Sequence, residues 1–203
     1  MTRWAALVLA AGAGARFGGG KLLAPWGSGV LLDGALAAAF AAPAERVILT
    51  TGFDADRVAA VARAFADRAG EGGRLTIVHA AEHALGLSAS LRTGLDAVPP
   101  EAEGVFIFLA DMPKTPPAMA GRLAQAIGAR PAAAPVFEGL RGHPVLLRRA
   151  LFDRLSALEG DRGAGAVLAG LGEDLALVAT EESGVVFDVD APEDLAGRPP
   201  DGG

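Results

Sequence analysis

The chain has 203 residues, 51% of them hydrophobic, no cysteine and a formal net charge of −6. The lack of cysteine excludes disulfides, thiolate zinc sites and cysteine nucleophiles. The acidic balance argues against a nucleic-acid binder, which presents a basic face. No apolar run reaches membrane-spanning length without Gly, Pro or a charge, so the expectation is a soluble cytoplasmic protein that needs neither membrane nor nucleic acid.

Trp4–Ala10 reads as the first core strand rather than a signal peptide, because it is short, alternates and runs into a glycine-rich loop instead of a cleavage site. A helix follows over Leu31 to Ala41, then a strand over Arg46–Thr51. Asp54 is placed to cap a helix reaching about Arg68, with Val58, Val61, Ala62 and Phe65 on one face. After a strand at Leu75–His79, Ser88 caps a short helix through Leu91 and Leu95. A strand at Gly104–Leu109 precedes a helix through Met119, Leu123 and Ile127, with Thr115 as cap and Pro116 in its first turn. The runs Ala132–Phe137 and His143–Leu147 lie too close for a crossover helix. They pair as a hairpin or flank a loop that reaches over the site. Helices at Arg149–Leu158 and Ala164–Leu171 and a strand at Leu175–Ala179 complete the set. This alternation predicts an α/β fold of one Rossmann-like domain over 1–196, a three-layer α/β/α arrangement with a mostly parallel sheet and a small β-hairpin insertion. Residues 197–203, rich in Pro and Gly, are expected to be a disordered tail. Ligands in such folds sit at the carboxyl ends of the strands.

Chemistry concentrates there. The stretch Leu9-Ala10-Ala11-Gly12-Ala13-Gly14 leads from the first strand into a loop that ends in two cations, Arg16 and Lys21. Glycines let backbone N–H groups turn toward phosphate oxygens, so the loop is expected to hold a nucleoside triphosphate. It is not the dinucleotide fingerprint, because Phe17 stands at the third glycine, and not a P-loop, because Leu22 follows Lys21. Asp111 comes immediately after an apolar strand, where a carboxylate suits Mg²⁺ or Mn²⁺; the alternative is a helix cap, a role Thr115 already fills. Asp188 and Asp190 share a face if their segment is extended, and at least one is expected to complete the metal shell. Capping of a helix begun by Pro192 is the alternative for Asp190. Gly86, Ser88 and Ser90 lie at a predicted helix start, whose free N–H groups attract anions, although serine there is usually only a cap. His143 is balanced between a site and a structural role, and Asp161 between a site and a cap. His79 and His83 lack metal-ligand spacing and receive no role, and Trp4 and Trp26 read as packing residues.

The string Leu7 to Lys21 resembles the signature L-A-A-G-x-G/S-x-R-M/F-G-x-x-K of nucleotidyltransferases related to the molybdenum cofactor guanylyl- and cytidylyltransferases. Gly86-Leu87-Ser88-Ala89-Ser90-Leu91-Arg92-Thr93-Gly94 is similar to the G-M/L-S-x-S-L-R-x-G of the cytidylyl group, where guanylyl relatives more often carry Pro-Leu-x-Gly. Arg141-Gly142-His143-Pro144 resembles a segment near the acceptor, and Gly160-Asp161-Arg162-Gly163-Ala164-Gly165 one that meets the pterin phosphate. Phe17 in place of Met, and Ala110 in place of Gly before Asp111, are the departures. The resemblance implies a fold of the nucleotide-diphospho-sugar transferase type and a Mg²⁺-dependent transfer of CMP from CTP to a phosphorylated small-molecule acceptor, molybdopterin first, with release of pyrophosphate. It implies that Arg16, Lys21 and Asp111 are catalytic and that Asp111, Asp188 and Asp190 bind metal. Leu9, Ala10, Ala11, Gly12, Ala13, Gly14, Gly86, Ser88, Ser90 and His143 line the binding site, and a molybdenum hydroxylase or its chaperone is a contact partner. Rivals are a guanylyltransferase of the same cofactor, a sugar- or polyol-phosphate nucleotidyltransferase, and a non-catalytic nucleotide-binding partner of a molybdenum hydroxylase.

Overall fold

The computed structural model describes residues 3–14 and 17–197. Within them β1 (Trp4–Ala10), β4 (Arg46–Thr51), β5 (Leu75–His79), β6 (Gly104–Leu109), β7 (Ala132–Phe137) and β10 (Leu175–Ala179) are the expected strands. β9 (Val145–Arg148) answers to the expected run His143–Leu147, and the added strands are β2 (Pro25–Trp26), β3 (Gly29–Val30) and β8 (Leu140–Arg141). The helices are α1 (Leu31–Ala41), α2 (Ala55–Arg68), α3 (Leu87–Asp96), α4 (Met119–Ala126), α5 (Phe152–Ser156) and α6 (Ala164–Ala169). No helix among the described residues is long and apolar enough to cross a membrane.

The main sheet runs β10-β7-β9-β6-β1-β4-β5, with β8 on β7, and β2-β3 form a separate antiparallel pair. β9 pairs antiparallel with both β6 and β7, whereas β1, β4, β5, β6, β7 and β10 share one direction. Strand alternation divides the core. Ala6, Val8, Phe106 and Phe108 face the side covered by α1, α2 and α4, while Leu7, Leu9, Val105 and Ile107 face α3, α5 and α6. This is the expected three-layer α/β/α sandwich. Gly94 lets α3 lie close on the sheet: a Cβ there would stand 2.4 Å from Leu7 Cδ1 and 2.6 Å from Thr50 Oγ1.

The expected pairing within 132–147 is present, but its second strand begins at Val145 rather than His143. Pro144 has no N–H to give a ladder, and the His143 N–H is committed to Val185 O at 2.7 Å. The hairpin tip is tight, with Glu138 at φ 48° and Gly139 at φ 81° between β7 and β8, the two positive φ values of a type I′ turn.

One expected cap keeps its position without its side-chain bond, and two do not form. Asp54 is the N-cap residue of α2, but it takes a left-handed conformation at φ 57° and its carboxylate engages Arg57 at 2.8 Å. Ser88 falls inside the first turn of α3, whose N-cap position is Gly86. Thr115 Oγ1 donates to Met112 O at 3.0 Å, and α4 starts only at Met119. The predicted tail lies on residues 198–203, outside the described residues, except for Gly197, which ends a 3-10 turn begun at Pro192.

Candidate active site

The carboxyl ends of β1 and β6 sit side by side, in register as Leu9↔Leu109. β1 releases the chain into the glycine loop there. Phe17 N–H and Gly19 N–H both reach back to Gly14 O, at 2.8 and 3.3 Å, curling the loop so that Lys21 returns toward the strand ends. Leu22 is buried just after it and anchors the 3-10 turn Lys21–Leu23. Arg16 lies outside the described residues.

From β6, Asp111 reaches across to meet Lys21. The ammonium is 2.8 Å from Asp111 Oδ2 and 3.7 Å from Asp190 Oδ1, and the lysine side chain keeps only 12% exposure. The second acidic segment is docked through its backbone: Val189 N–H donates to Asp111 O at 3.0 Å, and the Val189 side chain is fully buried between its two exposed aspartates. It is not a strand, so period-two alternation is not what presents Asp188 and Asp190. The buried Val189 anchor is. Lys114 Nζ lies 4.1 Å from the Phe187 ring centroid and 5.9 Å from that of Trp26, a cation between two rings that pins the same segment.

Although Asp188 as a whole is exposed, partial desolvation of its carboxyl pushes it above the usual carboxylate range, and repulsion from Asp190 and Asp111 adds to it. Asp194 is a carboxylate that takes backbone N–H groups at the start of the Pro192–Gly197 turn. It accepts from Asp190 N–H at 2.9 Å and Ala191 N–H at 2.8 Å, and those bonds hold its carboxyl below the usual range. The Asp111 carboxylate engages Lys21, and the N-cap position of α4 is Ala118. Among the described residues no group of three or more His, Cys, Asp or Glu is arranged to hold a metal. Among the described residues a closed protein cage is therefore absent. What the site offers is hard carboxylate oxygens already gathered around one cationic group, which fits Mg²⁺ or Mn²⁺ taking one or two carboxylates and completing its shell with phosphate oxygens and water.

Beside Asp111 a cleft of about 430 Å³ opens between the glycine loop and the start of α3. Leu9, Ala11, Gly12 and Ala13 form one wall, and Gly86, Ser90 and Asp161 lie across from them. Ala10 is buried behind this wall, and Gly14 turns at φ 59° against Lys21 Cβ. Ser88 is buried with its N–H given to Gly160 O at 3.0 Å, so it holds the 160–161 loop rather than the cleft. Gly86 makes that junction possible: its φ is +112°, and a Cβ would come within 2.5 Å of the Gly160 carbonyl carbon. Asp161 therefore reaches the cleft rather than capping α6, whose N-cap position is Gly163.

His143 is not among the residues lining this cleft. It is half-buried with Nδ1 3.3 Å from Ile107 O. Burial lowers its pKa, opposed by the Ile107 carbonyl and the nearby Asp111 charge. His83, given no role from sequence, does line the cleft. The only local sign of it was its place three residues ahead of Gly86.

A family model described as "MobA-like NTP transferase domain" matches residues 6–177. The molybdenum cofactor cytidylyltransferase of Escherichia coli (strain K12) is 27% identical over 189 residues, which cover 93% of this chain and 92% of that protein. Among solved structures, Rv0371c from Mycobacterium tuberculosis H37Rv matches with a TM-score of 0.81 and 29% identity, covering 97% of this chain and 96% of that one. The complex of Rv0371C with manganese matches at 0.71 and 27%, with 88% of each chain covered.

Proposed function

The chain belongs to the MobA-like NTP transferase family, and from that premise we propose that this nucleotidyltransferase moves CMP from CTP to a phosphorylated acceptor, with the molybdenum cofactor as first choice, and releases pyrophosphate. The observation that carries the reading is the meeting of Lys21 with Asp111 and Asp190 at the mouth of the cleft built by the glycine loop and Gly86–Ser90. The choice of CTP rests on the Gly86–Gly94 sequence and on the cytidylyltransferase likeness.

In this reading the N–H groups of the glycine loop cradle the triphosphate, and Lys21, with Arg16, stabilises the charge that develops on the departing β,γ-phosphates. Asp111 and Asp190 would hold a divalent cation, Mg²⁺ or Mn²⁺, with Asp188 beside them, and the cation would supply charge neutralisation for the phosphates. An acceptor phosphate is already ionised and nucleophilic, so the chain need supply no general base and no covalent intermediate. Its contribution is alignment and electrostatics. The assignment of His143 and the Gly160–Asp161 segment to the acceptor rests on the family resemblance, and delivery of product to a molybdenum hydroxylase or its chaperone is the partner interaction this activity implies.

Pyrophosphate release is the test. With molybdenum cofactor as acceptor, CTP should support turnover and GTP should not; GTP preference would make the protein a guanylyltransferase, and turnover only with sugar or polyol phosphates would replace the acceptor.

A further inference from the structure

His83 occupies the end of the cleft that the reaction above leaves without a reader. Asp111 follows β6 and His83 follows β5, with β1 and β4 between them. The strands they follow are three spacings apart, about 14 Å. If phosphates lie over the glycine loop with the metal-binding end at Asp111, the nucleoside extends toward β4 and β5, where His83, Ala84 and Leu87 line the wall.

The His83 ring is held in one orientation. It packs so closely on Gly52, the residue after β4, that a Cβ there would stand 2.6 Å from His83 Cγ and 2.7 Å from Ala11 O. Its Nδ1 lies 3.0 Å from Ala80 O. A carbonyl oxygen can only accept, so in the neutral ring Nδ1 carries the proton and Nε2 keeps its lone pair. The neighbouring His79 ring is tilted at 56° with its centroid 6.1 Å away, too far to occupy that nitrogen as a bonded partner.

A fixed acceptor at this place distinguishes pyrimidines. The 4-position of cytosine carries an amine that donates, and that of uracil a carbonyl that accepts. We propose that His83 Nε2 accepts a hydrogen bond from the cytosine amine and is a specificity-determining residue that favours CTP over UTP. The assignment rests on the cytidylyltransferase reading. A uracil in the same pose would set its carbonyl oxygen against the Nε2 lone pair, and a site built to satisfy a polar group rejects the analogue that cannot pair with it.

The test compares kcat/KM for CTP, UTP and GTP in the wild type, His83→Leu, His83→Ala and His83→Gln. Wild type should prefer CTP to UTP. In His83→Leu the CTP/UTP ratio should fall about tenfold, the size of one lost hydrogen bond, and His83→Gln, whose amide oxygen still accepts, should recover part of it. His83→Ala repeats the measurement without the bulk of leucine if that variant fails to fold. An unchanged ratio in the Leu and Ala variants, or no CTP/UTP preference in the wild type, overturns the role of His83 while leaving cytidylyl transfer in place. Preference of the wild type for GTP overturns both.

Discussion

Lys21 Nζ lies 2.8 Å from Asp111 Oδ2 across ninety residues of sequence, joining the loop after β1 to the end of β6. The ammonium thus stands among the carboxylates proposed to hold the metal, and a bound triphosphate would compete with Asp111 for it. Lys21→Met should lower kcat/KM about ten- to a hundredfold, the worth of a charge-assisted contact of about 1.5–3 kcal/mol. In the nucleotide-free protein the same change should tighten Mn²⁺ binding, because it removes a competing cation. Titration of Mn²⁺ against both proteins checks this; weaker binding in the variant would place Lys21 in a purely structural ion pair.

Asp111→Asn should fold normally and lose nearly all turnover. Asn matches Asp in size but lacks the charge that attracts Mg²⁺. Thermal melting and pyrophosphate release, measured together, decide it, and wild-type rates with an unaltered Mg²⁺ dependence would remove Asp111 from the metal site.

Asp188 carries a pH signature. Its carboxyl is pushed above the ordinary range by partial desolvation first and by Asp190 and Asp111 second. A raised carboxyl pKa means that folding favours the protonated form, so its contribution is favourable below the unfolded pKa and is lost as pH rises through the folded value. Asp188→Asn should therefore raise the melting temperature at pH 7 and change it little at pH 3. An equal shift at both pH values would point to packing rather than charge.

Gly86→Ala should destabilise by about 1–3 kcal/mol, the usual cost of a strained backbone conformation, because φ is +112° and the added Cβ meets the Gly160 carbonyl. Chemical denaturation measures the loss. A larger drop in CTP affinity than in stability would show the 160–161 loop being displaced from the cleft.

CTP with Mg²⁺ should raise the melting temperature more than GTP with Mg²⁺, since a ligand that binds only the folded state stabilises it. A greater shift with GTP reverses the base assignment.

The sequence by itself determined the layers and the edge at which chemistry gathers. Continuous apolar character in Trp4–Ala10 and Gly104–Leu109 marks strands with their observed bounds, because a short apolar run bounded by turn signals is a local property of the chain. The position of Asp111 at the carboxyl edge follows directly from where its strand ends. Caps were less legible. Asp54, Ser88 and Thr115 each have a partner that sequence alone does not rank, respectively Arg57, the Gly160 carbonyl met by the Ser88 amide, and the Met112 carbonyl. Tertiary structure decided the rest. Val189 had to bury against the Asp111 segment before Asp190 could approach Lys21, and Gly86 had to receive the 160–161 loop before Asp161 could line the cleft. His83 belongs to no motif, and its ring reaches the site only because β5 lies beside β4 and Gly52 leaves room for it. Such contacts join residues tens of positions apart, and no local periodicity or spacing encodes them.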